Sequence, residues 1–377
     1  MNLKRIRAVA WKEFVQIKRD PRSLSLALAI PVFLLFIFGY GLSLDIDHVP
    51  MAVWNQDASS KLTRDFLLNF KNSKYFKILR YTDNYRDIEH MIDSGEALMA
   101  LIIPKDFSRY IESGKTAPLQ LLVDGSDANT ATIAMGYVRS VVSKYNVDLL
   151  TGAFAKHGLT PPKALDPRSR VWFNEGLTST WFIVPGVISM ILMIISALLT
   201  SVCVAREWER GTMEQLISTP VKAPELIIGK FIPYFAIGFF DLMMGVLMAK
   251  FLFGVPFRGS YFLFFILSAL FLTGALSHGI FISVVARTQL MASQLASLTT
   301  LIPSILLSGF IYPIFNMPKA LQTVTYFVPA RYYIVILRDI FLKGGGIDTL
   351  WDETLFMILF ASLMFTFAVR KFKKRVA

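Results

Sequence analysis

Residues 181–205, WFIVPGVISMILMIISALLTSVCVA, decide the fold of this chain because the stretch contains no charged residue. About 20 apolar residues span a hydrocarbon core of about 30 Å as a helix, and a backbone in lipid must satisfy its own hydrogen bonds. We therefore predict a membrane-spanning helix here. The whole chain of 377 residues is 54% hydrophobic and only 18% charged, whereas soluble domains carry about 25% charged residues.

Outward from this stretch, five more apolar runs predict membrane helices. The predicted fold class is thus a polytopic α-helical membrane protein with six transmembrane helices plus an extracytoplasmic α/β domain. The single cysteine, Cys203, lies within the second span and is interpreted as a small buried hydrophobic residue. The six spans are predicted at residues 24–42, 181–205, 226–252, 261–285, 290–310 and 355–369.

Residues 45–175 contain equal numbers of basic and acidic residues, so the net charge of +12 arises entirely from the rest of the chain. Lysines and arginines cluster before the first span and after the last, so the positive-inside rule predicts that both termini are cytoplasmic. Because these basic residues flank apolar segments, no nucleic-acid partner is expected. A cleaved signal peptide is not expected either, since the first long apolar run begins only after Arg22.

Residues 1–22 are predicted to form a cytoplasmic interfacial amphipathic helix that leads into the first membrane helix at 23–43. Apolar residues recur at steps of three or four with basic residues between them, which is typical of helices in the headgroup region. A solvated extension of the first membrane helix is the alternative. Pro21 is expected to end or kink the helix. The apolar positions are Leu3, Ile6, Ala10, Phe14 and Ile17.

Residues 44–179 are predicted to form the water-soluble α/β domain on the outer side of the membrane. Strand periods and helix periods both occur there. Asp124, Asp127 and Asn129 favour a turn and a helix N-cap over a metal or ligand site. Strands are predicted at 49–54, 97–103 and 119–123, and helices at 87–93 and 129–149.

Catalytic and nucleotide-binding motifs are absent from the sequence. No Ser/His/Asp or paired-carboxylate set can be assembled, which argues against a membrane enzyme whose outer domain does chemistry. No Cys/His cluster indicates a metal site. No phosphate-binding loop of the form GxxxxGK[ST] occurs, and the three glycines at 344–346 are interpreted as a turn.

The most informative polar stretch is AREWERGTMEQLISTP at residues 205–220. It lies in the only sizeable internal loop predicted to be cytoplasmic. Charges of both signs are predicted on a short helix that Gly211 breaks. Such a rigid, charged lever between two membrane helices can fit a groove on a soluble partner, although a solvated loop that only caps the helices is the alternative.

Asp241 lies near the middle of the third predicted span, and His278 lies in the fourth. An ionisable group at this depth is costly and usually faces a protein interior or a water-filled cavity. One interpretation is that Asp241, with His278 as a candidate partner, lies on a translocation path and contacts a cationic substrate. The alternative is a hydrogen-bonded carboxyl group that only holds helices together.

These features together resemble the type-2 ABC export permease family, whose members carry a stretch like AREREXGTMEQLLVTP after their second helix. Lys12-Glu13-Phe14 with Arg19-Asp20-Pro21 is similar to the family's interfacial helix. Two departures are Trp208, where Arg is usual, and Phe315, where relatives often have Glu. Residues 308–333 are similar to the family's outer re-entrant segment, through Ser308, Gly309, Pro313, Pro318 and Arg331 among others.

The resemblance implies a non-enzymatic permease subunit that binds no cofactor itself and uses ATP and Mg²⁺ through a partner ATPase. It places the ATPase contact in a coupling loop at 205–224, within a five-helix membrane domain at 180–370 that precedes a basic tail at 371–377. The coupling residues it implies are Arg206, Glu207, Glu209, Arg210, Gly211, Thr212 and Glu214.

Further partners implied by the resemblance are a second permease copy or a homologue, a periplasmic adaptor and membrane lipid. The implied location is the cell inner membrane, and the implied function is export of drug-like, amphipathic or lipid-linked compounds. The alternative function is a non-transporting mechanotransmission or scaffold protein that uses the same kind of ATPase.

Overall fold

The computed structural model describes residues 1–42, 48–156, 172–174 and 178–372. The chain divides into two compact units. We call Met1–Ser43 together with Val171–Ala377 the helical unit, and Leu44–Arg170 the mixed unit. Most of the predicted basic tail at 371–377 lies outside the described residues.

The regular elements begin, in chain order, with α1 (Leu3–Lys18), α2 (Pro21–Gly41), β1 (Val49–Asn55), α3 (Lys61–Lys71), β2 (Phe76–Tyr81), α4 (Tyr85–Asp93), β3 (Met99–Ile103), α5 (Phe107–Glu112), β4 (Gln120–Val123) and α6 (Ala128–Lys156). They continue with α7 (Ser179–Glu209), α8 (Thr212–Ser218), α9 (Ala223–Phe251), α10 (Tyr261–Ala286), α11 (Gln289–Leu306), α12 (Lys319–Thr325), α13 (Pro329–Arg338) and α14 (Trp351–Lys371). A 3₁₀ turn occupies Ile314–Asn316, and a π-helical turn occupies Asp339–Lys343.

Helix α7, which contains the uncharged stretch, is the centre of the helical unit. It packs against α2, α9, α10, α11 and α13. Its side chains are therefore buried around the whole helix circumference, as Val184, Val187 and Ile191 illustrate. A helix that is apolar on all faces is stable in this central position because every face meets another apolar helix.

Four helices of the described chain are long and apolar enough to cross a membrane: Ser179–Glu209, Ala223–Phe251, Tyr261–Ala286 and Trp351–Lys371. A shorter apolar helix occupies Ala27–Gly41. The six predicted segments are all helical, but membrane crossing by α2 and α11 stays a prediction. Helix α11 ends at Leu306 rather than at the predicted Phe310, because the chain turns at Gly309, whose φ of +78° favours glycine.

The mixed unit contains a four-stranded sheet in the order β2-β1-β3-β4. Strand β1 pairs in parallel with β2 and β3, and β4 pairs antiparallel with β3. Helices α3 and α6 cover one face through Phe66, Phe70 and Val138, while α4 covers the other through Ile88 and Met91. The unit is therefore an α/β fold, and its position on the outer side of the membrane stays a prediction.

The three strands and two helices predicted in this unit are all present. Their ends differ from the predicted ends by a few residues, except at α6, where the difference is larger. Helix α6 continues to Lys156, beyond the predicted end at Leu149. Strand β2 was not predicted from the sequence, because this edge strand exposes most of its side chains, including Leu79 and Tyr81, and shows no buried alternation. The proposed turn and cap are present: Asp124 accepts from the Ser126 N–H at 2.9 Å, and Asp127 from the Thr130 N–H at 3.4 Å.

We predict that Phe66→Ala destabilises the mixed unit by about 3–5 kcal/mol, the usual cost of emptying an aromatic site in a core. Phe66 is 1% exposed, and its ring lies 5.0–5.3 Å from the rings of Phe70, Phe107 and Tyr145. Hydrogen exchange of the sheet amides in the full chain measures the effect. Leu68→Ala, on the exposed side of the same helix, is the control; equal protection in both variants would contradict the prediction.

Candidate functional site at the end of α7

Helix α7 carries three charged residues of the coupling stretch on its last turn: Arg206, Glu207 and Glu209. The predicted helix break at Gly211 is present, but the charged residues before it continue α7 through Glu209 instead of belonging to a short helix of their own. Gly211 does end it: with φ of +71° it links α7 to the short helix α8. The charged end of α7 is therefore a rigid continuation of the buried central helix.

Glu207 lies inside the helical unit instead of on a solvated loop, with 3% exposure. Its Oε1 accepts from Lys12 Nζ of α1 at 2.8 Å and from Lys230 Nζ of α9 at 3.4 Å. Its other oxygen accepts from the Thr212 hydroxyl at the start of α8. One carboxylate thus connects four helices.

Lys230 and Glu13 complete this group, and both are 1% exposed. Lys230 Nζ donates to Glu13 Oε2 at 2.8 Å and to the Cys203 carbonyl at 3.2 Å, while the Tyr234 hydroxyl donates to Glu13 Oε1 at 2.9 Å. We call Lys12, Glu13, Glu207, Lys230 and Tyr234 the ionic cluster. Its two carboxylates and two ammonium groups balance, which is the condition for burying charge without a large net cost.

The approach of α1 to α9 that builds this cluster depends on Gly229. A Cβ at this position would lie 2.6 Å from the Val9 Cβ and 3.1 Å from the Ile6 carbonyl oxygen. Ile6, Val9 and Glu13 are consequently the buried face of α1, while Leu3 and Phe14 of the predicted apolar stripe are exposed. The predicted amphipathic helix is present as α1, and its placement in the headgroup region stays a prediction.

A second set of polar contacts surrounds the ionic cluster. Arg206 lies 3.7 Å from Asp20 and donates to Gln289 Oε1 at 3.2 Å. Glu209 Oε2 accepts from the backbone and side-chain N–H groups of Gln289, both at 3.0 Å. At the start of α9, Glu225 accepts from the Asn2 N–H at 2.7 Å. These contacts tie the end of α7 to α11 and the start of α1 to α9.

The remaining predicted coupling residues stay accessible. Arg210 and Glu214 are exposed on either side of Gly211, and Arg19 is exposed at the end of α1. The predicted coupling residues therefore fall into two groups. Arg206, Glu207 and Thr212 anchor the segment within the helical unit, and Arg210 and Glu214 form an exposed tip.

Lys230, Tyr234 and Gln289 were missed by the sequence analysis. Lys230 offered a signal, because it is a charged residue inside a predicted membrane span, where such residues usually have a partner. Tyr234 follows it by one helical turn, which places both on the same face of α9. Gln289 gave no comparable signal, since its contact with Glu209 joins distant parts of the chain.

Asp241 and His278 are not brought together, so the candidate pairing is wrong. Among the described residues, Asp241 Oδ2 has no hydrogen-bond partner, and the side chain lines a cavity between α2, α7 and α9. His278 Nε2 instead lies 3.1 Å from the Thr299 hydroxyl of α11. The Asp241 side chain of α9 faces the cavity beside α2 and α7, whereas the His278 side chain of α10 faces α11.

The predicted re-entrant segment is built as a compact turn. The Ser308 hydroxyl accepts from the Phe310 N–H at 3.3 Å, on either side of Gly309. Pro313 and Pro318 directly precede the 3₁₀ turn and α12. The Arg331 guanidinium lies 4.1 Å from the centroid of the Tyr326 ring. Entry of this segment into the membrane stays a prediction.

A bundle of apolar helices, four of them long and apolar enough to cross a membrane among the described residues, defines the class: a polytopic membrane protein. The comparison with known families is decisive. The chain belongs to the ABC-2 family of transporter proteins, whose model matches residues 22–370. It is thus an integral inner-membrane permease subunit and not an enzyme, as predicted, and the family implies an ATPase partner and dimeric assembly.

Individual relatives cover nearly the full length of this chain. It is 37% identical to "Probable multidrug ABC transporter permease YbhS" of Escherichia coli (strain K12), over 100% of this chain and 98% of that protein. It is 29% identical to "Probable multidrug ABC transporter permease YbhR" of the same organism, over 97% of each. A more distant relative is "ABC transporter G family member 20" of Dictyostelium discoideum, which is 23% identical over 95% of this chain and 49% of that protein.

We predict that Lys230→Met loosens α1 from α9 by about 3–5 kcal/mol, because Glu13 is left buried without its cation. Hydrogen exchange of the α1 amides in the purified full chain measures this loss. Lys250→Met, at the exposed end of the same helix, is the matched control. Adding Glu13→Gln to Lys230→Met should restore part of the protection; unchanged exchange in the single variant would show that the cluster does not hold α1.

Proposed function

We propose that this chain is the membrane subunit of an ATP-driven exporter and that a separate ATPase docks on the tip formed by Arg210 and Glu214. The observation that carries the proposal is the ionic cluster, which anchors the end of α7, at the base of this tip, to two other helices, α1 and α9. The sequence contains no nucleotide-binding loop, so energy must enter from a partner. The exposed charges of the tip offer that partner a contact of both signs.

Force applied at the tip is transmitted through rigid elements. Helix α8 meets α7 through Gly211 and the Thr212–Glu207 hydrogen bond, and α7 continues as the central membrane helix. Glu207 also carries the displacement to α1 through Lys12 and to α9 through Lys230. ATP then shifts the equilibrium of the paired permease halves by binding one arrangement of the ATPases more tightly than the other.

The proposed arrangement in the membrane has six crossings with both termini in the cytoplasm. The positive-inside distribution of Lys and Arg supports it. Residues 44–179 then form an outer domain that lines the exit chamber or meets a periplasmic adaptor. A second copy of the chain or a homologue completes the pore, since YbhS and YbhR are both relatives.

The proposed cargo is a drug-like, amphipathic or lipid-linked compound. The names of the two Escherichia coli relatives include the word multidrug, and the helices are apolar over most of their length. Asp241 is the acidic residue we propose to face the path once α2 moves. In the present arrangement its cavity measures only about 20 Å³ and has room for a water-sized group.

We predict that Glu214→Lys weakens ATPase docking by about tenfold, which corresponds to about 1.4 kcal/mol. The change inverts an exposed charge without disturbing the ionic cluster, whereas Glu207→Lys would also break buried contacts. Stimulation of the partner ATPase by the purified permease, titrated in vesicles, measures the effect. Lys319→Glu, an exposed charge inversion on α12, is the control; stimulation equal to that of the control would overturn the docking assignment.

We predict that Asp241→Asn reduces export of cationic compounds more than export of neutral ones, because the substitution keeps the shape and removes the charge. Transport of one cationic and one neutral fluorescent compound into inverted vesicles measures the ratio. A lower yield of protein with an unchanged ratio would assign Asp241 to helix packing.

The same vesicles separate export from the alternative function. A mechanotransmission protein would allow ATP hydrolysis with the partner but would move no amphipathic compound. Hydrolysis without movement of any tested cargo would therefore favour that alternative.

A further inference from the structure

Two apolar hollows lie beside the junction between α1 and α2. The proposed coupling to the ATPase does not require either hollow. The first has a volume of about 250 Å³ and is bordered by α1, α2, α7, α9 and α11. The second has a volume of about 310 Å³ and is bordered by α1, α2 and α9. They share Ile17, Leu24 and Ile237, so a single apolar ridge divides them.

Each hollow has mostly apolar walls and one cationic side chain, and the first is also lined by the acidic Asp20. In the first, the wall on α7 runs from Ile195 to Arg206, a distance of about 16 Å at 1.5 Å per residue. In the second, the cation is Lys18, the last residue of α1. Arg206 is already paired with Asp20, whereas exposed Lys18 has no ion pair or hydrogen bond within the described residues.

The exposed charge of α1 has a single sign. Its one acidic residue, Glu13, is buried and paired with Lys230. Lys4, Arg7 and Lys18 are exposed on the same helix, together with the apolar side chains of Trp11 and Phe14. Cations beside apolar groups favour the surface of an anionic leaflet.

We propose that the two hollows form a binding site for one diacyl phospholipid with an anionic headgroup. One acyl chain fills each hollow on either side of the Ile17–Leu24–Ile237 ridge, and the phosphate lies at Lys18. Two apolar compartments with one uncompensated cation match two chains and one negative charge. A single-chain amphiphile would leave one hollow empty. A zwitterionic headgroup also has a phosphate, but its ammonium group cancels the net negative charge that the cationic exposed face of α1 favours.

Such a lipid would contact the anchoring residues of the coupling tip. The first hollow is lined by Arg206 and by Tyr234, whose hydroxyl bonds to Glu13 in the ionic cluster. The bound chain would then support the packing of α1, α7 and α9 around the cluster. The inference does not depend on export, because binding needs neither the ATPase nor cargo.

The test is native mass spectrometry of the purified full chain, mixed with equal amounts of phosphatidylglycerol and phosphatidylcholine that carry identical acyl chains. We expect one tightly retained phosphatidylglycerol per chain. Equal retention of the two lipids would overturn the proposed headgroup contact. Displacement by glycerol phosphate would show a site for free phosphate instead, and lipid-free dimers would show that a second copy covers the hollows.

Two variants locate the site. Ala27→Phe fills the first hollow from α2 and should weaken retention more than about tenfold, because several methylene groups lose their burial. Val285→Phe, on the exposed side of α10, is its control. Lys18→Gln should weaken retention about fivefold, with Lys250→Gln as the matched loss of charge.

Retention by Ala27→Phe equal to that by Val285→Phe would place the lipid elsewhere and overturn the proposal. Lys18→Gln changes an exposed residue and leaves the core intact, so it decides the question if Ala27→Phe does not purify. Equal retention by the two Lys→Gln variants would contradict the assignment of the phosphate. A failed lipid test would leave the proposed export function standing, since the two are measured separately.

Discussion

The buried ammonium group of Lys230, held between Glu13 and Glu207, is the interaction on which the end of the helical unit depends. An isolated charge inside a protein is expensive, so each of these groups is tolerable only while the others stay in place. The cluster consequently forces α1, α7 and α9 into one register. Gly229 makes this register accessible by letting the α1 backbone approach α9 closely.

This constraint converts three helices into one mechanical part. Apolar contacts alone would let α1 slide along α9, because dispersion contacts have little directional preference. Short charge-assisted hydrogen bonds do have a direction, so they resist sliding as well as separation. The exposed tip at Arg210 and Glu214 is thus attached to a stiff base, while Gly211 is the point at which the chain changes direction.

The sequence predicted the apolar helices well because charge depletion over 20 or more residues is a local property. The charged stretch at 205–220 is also recognisable from the sequence, because its charge is likewise a local property. The sequence assigned Glu207 to a docking surface, yet the side chain lies inside the protein, bonded to Lys12 and Lys230. It also paired Asp241 with His278, whereas His278 contacts Thr299 of α11. In both cases the sequence did not reveal the direction in which the side chain points from its helix.

By itself, the sequence determined that the chain is a polytopic helical membrane protein with an inserted α/β unit and a charged segment after its second long apolar run. These conclusions need only composition and period. The tertiary structure alone decided that Glu13, Glu207 and Lys230 meet, although more than 190 residues separate the first from the other two in the chain. The physical reason is that burial and charge pairing depend on which helix faces adjoin, and that is settled only when the helices pack.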